Sequence, residues 1–411
     1  SFGPGDRVVF YATGPHRWTL DSGAGRFRHT KHVFSDSASY FVGIGIEPPL
    51  RVGTLPEALD PATRTSTSFD DRQFSELDAV TLLKSGRELY GDVYDLTTTY
   101  PYSFSVPFLR SQDPACLVMD VLSRTVGTGN ASTWRVTSGG ALDTTVSVQG
   151  VPNGYTGEQA KSTRHTFCFN ASGNNLPFIV TFTKHNPASS IGWMNFLELN
   201  ARRDLKLVGN QMLFRDLTSI GPGEVTEFVL DQAPGALTIW DITDPSAAVQ
   251  VPVTDNGTQK VFRLRTDSLR QFAAFRSTGL LTPTPAGRVP NQDLHATALP
   301  TDLVIVVPDA FRAAAQQIAD RRMSEGLTVA LVSPQEVYNE FSSGMRDATA
   351  IKRYMKMLYD KAGTDPALMP RYLLLYGDGS YNNLNRALSN QSFLPSYQTA
   401  NSWHASLSYC S

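Results

Sequence analysis

The chain has 411 residues, 41% of them hydrophobic and only 18% charged, and its 36 basic and 38 acidic side chains leave a net charge of −2. That length allows two or three cores at roughly 150 residues per domain, and 31 glycines with 25 prolines exclude a collagen-like or wholly disordered chain. Neither side of residue 300 carries a basic excess, which removes a nucleic-acid footprint, and Ser, Thr, Asn and Gly in place of charge point to an exported, β-rich protein.

The start, Ser1-Phe2-Gly3-Pro4-Gly5, reads as one from which an export signal has been removed. The three cysteines are too few for a disulfide framework and lack zinc spacing. Cys116 and Cys168 sit in apolar, strand-like surroundings and read as buried free thiols rather than a bridge between neighbouring strands.

Short alternating or β-branched runs recur through residues 1–285: Val8 to Tyr11, Tyr40 to Val42, Leu117 to Met119, Thr145 to Val148, Phe178 to Phe182 and Val261 to Leu264. Turn residues bound them at short spacing, which predicts an antiparallel β-sandwich-type region, taken as two subdomains. Phe74, Leu77, Val80, Leu82 and Leu83 fall at helical spacing and predict one helix within 71–90. Pro290 and Pro300 close a Pro-rich stretch, so 286–300 reads as a linker.

From residue 301 the pattern changes. Leu303 to Val307 is uniformly apolar, as a strand covered on both faces must be, yet it is far too short to span a bilayer. Phe311, Ala314, Ala315 and Ile318 then recur at helix period, and a second strand is expected over Leu327 to Val332. Ser333-Pro334-Gln335-Glu336 fits a capping box. Asp347 can cap the next helix, whose inward stripe is Ile351, Tyr354, Met355, Leu358 and Tyr359. Tyr372 to Tyr376 supplies a third buried strand. Strand, helix, strand, helix, strand with short links predicts right-handed parallel crossovers, so 301–411 reads as the first part of an α/β domain.

Ligands in such sheets gather beyond the carboxyl ends of the strands, which directs attention to Gly377, Asp378, Gly379 and Ser380. The turn is neither a dinucleotide nor a Walker loop, and reads first as a plain turn and second as a pocket wall. His404 and Cys410, six residues apart, invite a base and nucleophile reading, although proximity in sequence says little about proximity in a fold. His16, His29 and His32 cluster without helical spacing and read as packing or surface groups rather than metal ligands. No cofactor motif is present.

Several segments together carry a family resemblance: Gly5 to Tyr11 with Gly14 to Trp18, Leu82 to Glu88, Leu197 to Arg203, Gln211 to Arg215, Trp240 to Pro245, Val289 to His295, Tyr338 to Gly344 and Tyr372 to Tyr381. In order and content they resemble the gingipain family of cysteine peptidases, and within it the members that serve the type IX secretion system. The resemblance implies β-rich domains followed by a caspase-like α/β peptidase domain. It implies a cell-surface, outer-membrane-associated endopeptidase and transpeptidase that removes the C-terminal signal domain of secreted cargo and, as a sortase, joins the cargo to anionic lipopolysaccharide. The implied partners are an outer-membrane β-barrel anchor of the PorV kind, other attachment-complex proteins and the cargo tails. The other class of function open to these residues is a non-catalytic β-rich scaffold or binding module of the same machinery.

In that family the histidine stands in a Gly-His-Gly setting and the cysteine ends the following strand, and neither arrangement occurs here. Cys410 matches a segment upstream of both, so the resemblance speaks against a His404 and Cys410 dyad and places the catalytic pair downstream of Ser411. No catalytic residue is carried over.

Overall fold

The computed structural model describes residues 3, 7–43, 51–56, 60–384, 393–400 and 402–405. Among them no helix is long and apolar enough to cross a membrane. A hairpin of β1 (Arg17–Asp21) and β2 (Arg26–Thr30) comes first, then the short β3 (Arg64–Ser66) and the longer β4 (Ser68–Glu76). The chain continues through β5 (Val93–Tyr94), β6 (Thr99–Ser105), β7 (Ala115–Arg124), β8 (Ala131–Ser138) and β9 (Leu142–Gln149). After β10 (Gly157–Glu158) come β11 (Lys161–Phe169), β12 (Asn175–Thr183) and β13 (Ile191–Asp204).

These form a first sandwich. One sheet runs β11-β7-β13-β4 with β5 on β13, the other β6-β12-β8-β9. Alternation along the strands turns Leu117, Met119, Val121, Val136, Phe178 and Val180 inward, where each is fully or almost fully buried. Trp134 is wholly buried, and its indole N–H donates to Ser123 Oγ at 2.7 Å, so its one polar atom is satisfied. Gly192 lies against that ring: a Cβ there would stand 2.6 Å from Trp134 Cζ2, a position only glycine can hold without displacing the indole.

A second sandwich follows, from β14 (Gln211–Arg215), β15 (Val225–Leu230), β16 (Thr238–Asp241), β17 (Val249–Gln250), β18 (Thr254–Asn256), β19 (Gln259–Arg265) and β20 (Gln271–Phe275). Its sheets run β14-β20-β16-β17 and β18-β19-β15-β3, around Phe214, Phe228, Phe262 and Phe272 with ring centroids 5.1 to 6.5 Å apart.

The parallel layer holds β21 (Leu303–Val306), α1 (Arg312–Ser324), β22 (Val329–Val332), α2 (Pro334–Phe341), α3 (Ala348–Ala362) and β23 (Tyr372–Leu375). The order is β22-β21-β23 with every pairing parallel. Val304 and Val306 pack on the α2 and α3 side and Leu303, Ile305 and Val307 on the α1 side, so helices cover both faces of the central strand. The expected change from antiparallel sandwiches to a parallel α/β layer therefore holds. Two short pairs follow: β24 (Gly379–Ser380) with β25 (Leu394–Pro395), and β26 (His404–Ala405) with β10.

The structure corrects several local expectations. No helix forms within 71–90: residues to Glu76 belong to β4, whose nine-residue pairing with β13 overrides the helical spacing of Phe74 and Leu77. Val8 to Tyr11 and Tyr40 to Val42 pair with no strand among the described residues: Val9 and Tyr11 pack on the Trp240, Ala273 and Phe275 cluster, and Tyr40, Phe41 and Val42 are exposed. Cys116 and Cys168 are not free. They face each other on β7 and β11 with Cα atoms 4.1 Å apart and are joined as a disulfide, which strand register, invisible in the sequence, decides.

In α1, Ala315 and Ala319 point inward and Ala314 outward; in α3, Tyr359 is exposed, at the margin of the stripe. Among the described residues β23 pairs on one side, with β21. Leu374 packs on the α1 side, whereas Leu373 and Leu375 are each more than 40% exposed.

Candidate functional site

Three connections emerge at the carboxyl end of the parallel sheet: Pro308 to Phe311 after β21, Ser333 to Glu336 after β22, and Gly377 to Ser380 after β23. The second is the capping box, with the Ser333 amide donating to Glu336 Oε2 at 2.6 Å and the Glu336 amide to Ser333 Oγ at 3.2 Å. Arg312 Nη1 stands 3.9 Å from both Asp309 and Glu336, giving this rim a charged edge.

Gly377 adopts φ +148°, and a Cβ there would meet Phe393 Cβ at 3.3 Å and Pro308 Cδ at 3.7 Å. The Asp378 carbonyl accepts the Phe393 and Leu394 amides at 3.0 and 3.1 Å. Its exposed carboxylate accepts the next amide, that of Gly379, at 2.8 Å. Gly379 and Ser380 pair in parallel with Leu394 and Pro395, and Ser380 Oγ accepts the Asn382 amide at 3.1 Å. The four sequence-chosen residues thus stand together at the carboxyl end of the sheet as a stitched turn, with glycine where the backbone conformation and close approach require it.

Sequence reasoning missed the residues that hold this turn. Buried Asn383 donates from Nδ2 to the Ser396 carbonyl and accepts the Ser396 amide at Oδ1, both at 2.9 Å. Phe393 packs edge-on to Phe311 with centroids 4.8 Å apart. Only the Asn382-Asn383 pair could have signalled the first role, and nothing periodic marks the second.

Beyond the turn the chain returns to the first sandwich. The Arg87 amide donates to the Thr399 carbonyl, the Glu88 amide to Ser402 Oγ and the Gln159 amide to the Trp403 carbonyl. His404 therefore lies in β26 against Gly157–Glu158, in the company of the first sandwich. Cys410 lies outside the described residues.

His16, His29 and His32 come together as packing groups. His29 stacks on Phe74 with centroids 3.6 Å apart and stands 3.7 Å from Glu76. Burial, then the charges of His16, Lys31 and Arg72, lower His29 to about 4, while burial and then Asp78 raise Glu76 to about 7. Metal-capable atoms of Asp293, His295 and Glu340 lie within 4.8 Å of one another. Glu340 already accepts the Leu294 amide, Gln292 and the His295 ring at 2.7 Å, and Asp293 the Ala296 amide, so these carboxylates lock the segment before β21.

Compared with known proteins, residues 296–411 match the model of the family described as Peptidase family C25. The structure overlays the crystal structure of dimeric latent PorU from Porphyromonas gingivalis with a TM-score of 0.78 at 24% identity. The overlay covers 96% of this chain and 38% of that one, so the chain spans well under half the length of that protein. The C-terminal CBM6 of LamC from Zobellia galactanivorans gives a TM-score of 0.19 at 10% identity, over 31% of this chain and 98% of that one. No curated protein matches. The fold is that of the PorU structure over nearly the whole chain, and the carboxyl-terminal quarter is what resembles the family C25 model.

Proposed function

We propose that the chain is the β-rich region and first α/β portion of a cell-surface cysteine endopeptidase and transpeptidase, one that removes the C-terminal signal domain of type IX secretion cargo and attaches the cargo to anionic lipopolysaccharide. The observation that carries this reading is the coincidence of the family C25 match with a parallel sheet whose carboxyl end presents the Gly377 to Ser380 turn. A thioester formed on a cysteine can be resolved by water or by an amine, so one acyl-enzyme chemistry suits both outcomes. The Cys116–Cys168 bridge supports an exported location, since such bonds persist in oxidising compartments.

In this reading Gly377, Asp378, Gly379 and Ser380 form one wall of the substrate cleft, and the nucleophile and base belong to the portion of a PorU-length protein that the 411 residues do not include. An outer-membrane β-barrel of the PorV kind, other attachment-complex proteins and cargo tails are its partners, with the two sandwiches as the contact surface because the sheet end must stay open to substrate. The test is release of the C-terminal domain from purified type IX cargo, followed by mass spectrometry with and without an amine acceptor. A PorU-length form of the protein releases the domain and forms the amine adduct, and residues 1–411 alone do neither. Absence of release by that longer form overturns the peptidase assignment, and release without adduct removes the transpeptidase step.

A further inference from the structure

Where the amino-terminal segment crosses both sandwiches, two arginines meet with no carboxylate in ion-pair contact with either among the described residues. Phe214 and Phe272 face the second sandwich's core, so their neighbours Arg215 and Gln271, directly paired across β14 and β20, face outward. Val9 and Tyr11 lie on that outer face. Arg72 approaches from β4: its Nη2 donates to Gln271 Oε1 at 3.3 Å, and its guanidinium carbon lies 4.5 Å from the Phe27 ring centroid and 5.2 Å from that of Trp18. The Arg215 guanidinium carbon lies 5.8 Å from the same Phe27 centroid.

Arg215 is 3% exposed, donates one hydrogen bond, to the Asp70 carbonyl, and its Nε has no partner. The neighbouring carboxylates are committed elsewhere. Asp70 takes Arg202 and the Leu217 amide, and Asp71 takes Arg203 and Gln73. Among the described residues neither Arg72 nor Arg215 has a carboxylate within ion-pair distance. Burial and then the Arg215 charge lower Arg72 to about 9, and both arginine charges pull against the burial that raises Tyr11, so the phenol stands in the field of both cations.

A buried guanidinium with an unsatisfied N–H beside a second cation is an arrangement that an anion resolves. Around it Tyr11, Trp18, Arg72 and Gln271 are each only partly buried. The aromatic rings engage the guanidinium groups by cation–π contact, while most of their N–H donors remain unused. We propose that Tyr11, Arg72, Arg215 and Gln271 form a binding site for a dianionic oxyanion of the phosphate class, either free phosphate or a phosphate monoester. Asp70 and Asp71 act on Arg215, and Asp71 on Arg72, only from beyond ion-pair distance, so the pair keeps positive charge that suits such a group near pH 7, and the Arg forks match its oxygens.

The test is thermal unfolding of the 411-residue chain in phosphate-free buffer at constant ionic strength, titrated separately with inorganic phosphate, glycerol phosphate and acetate. Phosphate raises the midpoint with saturation. Arg72→Gln weakens the apparent affinity at least about tenfold and Tyr11→Phe about threefold to tenfold, as loss of one charged or one neutral hydrogen bond requires. Both positions are only partly buried, so the experiment survives if Arg215→Gln fails to fold. Saturation by glycerol phosphate as well supports an ester ligand, and saturation by inorganic phosphate alone supports the free ion. A response that does not saturate, an unchanged response in Arg72→Gln, or equal stabilisation by acetate overturns the assignment.

Discussion

His32 Nε2 stands 3.6 Å from Asp347 Oδ2, so the segment that follows the β1–β2 hairpin is tied to the residue that caps α3. The contact joins the β-rich region to the α/β layer, and Phe41 and Ser39 continue it against Gly344. Burial pushes the Asp347 carboxyl up, but His32 and the Thr349 amide, donating at 2.8 Å, outweigh it and hold the group below the usual aspartate value. A depressed carboxylate adds stability that is present above about pH 4 and lost as pH falls through the folded value. Asp347→Asn is therefore expected to cost about 1 kcal/mol at pH 7 as a weakened cap that also loses the carboxylate facing His32, and progressively less below pH 4, read by urea unfolding at both pH values.

Near it, His29 and Glu76 oppose each other. His29 is lowered to about 4 by burial and then by His16, so its contribution to stability falls as pH drops from 6.5 towards 4. Glu76 is raised to about 7 by burial and then by Asp78, so its contribution is complete below 4.5 and is lost as pH rises towards 7. The slopes have opposite sign across the same window and nearly cancel in the native chain. Glu76→Gln is expected to expose a rise in stability between pH 4 and 6.5, and His29→Gln a fall between pH 4.5 and 7, each on the order of 2–3 kcal/mol. Unfolding free energies across pH 4 to 7.5 for the three proteins check this, and parallel profiles contradict it.

What could be read from the sequence was local and periodic. Ser333 and Glu336, and Asp347 ahead of Ile351, announce two helix starts because capping chemistry is set by neighbours in sequence. Leu303 to Val307 announces a strand buried on both faces for the same reason. Pairing could not be read. Phe74 and Leu77 resemble a helix face until β13 recruits β4, and Cys116 meets Cys168 only through the register of β7 with β11. Tyr372 to Leu375 carries the composition of a central strand, but its place beside β21 is written in no single strand. The Gly377 to Ser380 turn was legible as one that follows a parallel strand, while Asn383 and Phe393, which hold it, come from contacts that sequence spacing does not announce.

The Cys116–Cys168 bridge closes a separation of 52 residues across two paired strands of the first sandwich. Paired replacement by serine is expected to cost about 2–4 kcal/mol in denaturant unfolding, chiefly by freeing the unfolded chain. Thiol labelling of the unfolded, unreduced chain is expected to find one reactive cysteine of the three. Three labelled thiols would remove both the bridge and the support it lends to an exported location.

Gly377 and Asp378 separate two roles within one turn. At Gly377 the backbone has φ +148°, and an added Cβ would press on Phe393 Cβ at 3.3 Å, so Gly377→Ala combines conformational strain with a forced shift of the strand carrying Phe393 and Leu394. An expected loss of about 1–3 kcal/mol follows. The Asp378 side chain is exposed and accepts only the adjacent Gly379 amide among its described hydrogen bonds, while its carbonyl does the stitching. Asp378→Ala is accordingly expected to change stability by less than about 0.5 kcal/mol. In a PorU-length form of the protein the same change, if the turn lines the cleft, raises KM for cargo and leaves kcat within about threefold, because the residue shapes binding and carries no proton or acyl group. Cys410→Ala in that form is expected to leave turnover intact, since the proposed nucleophile lies elsewhere. Unfolding free energies of the two turn variants, with steady-state cleavage of cargo by the longer form, separate the roles: a kcat collapse in Asp378→Ala makes it catalytic, and loss of turnover in Cys410→Ala returns the nucleophile to this chain.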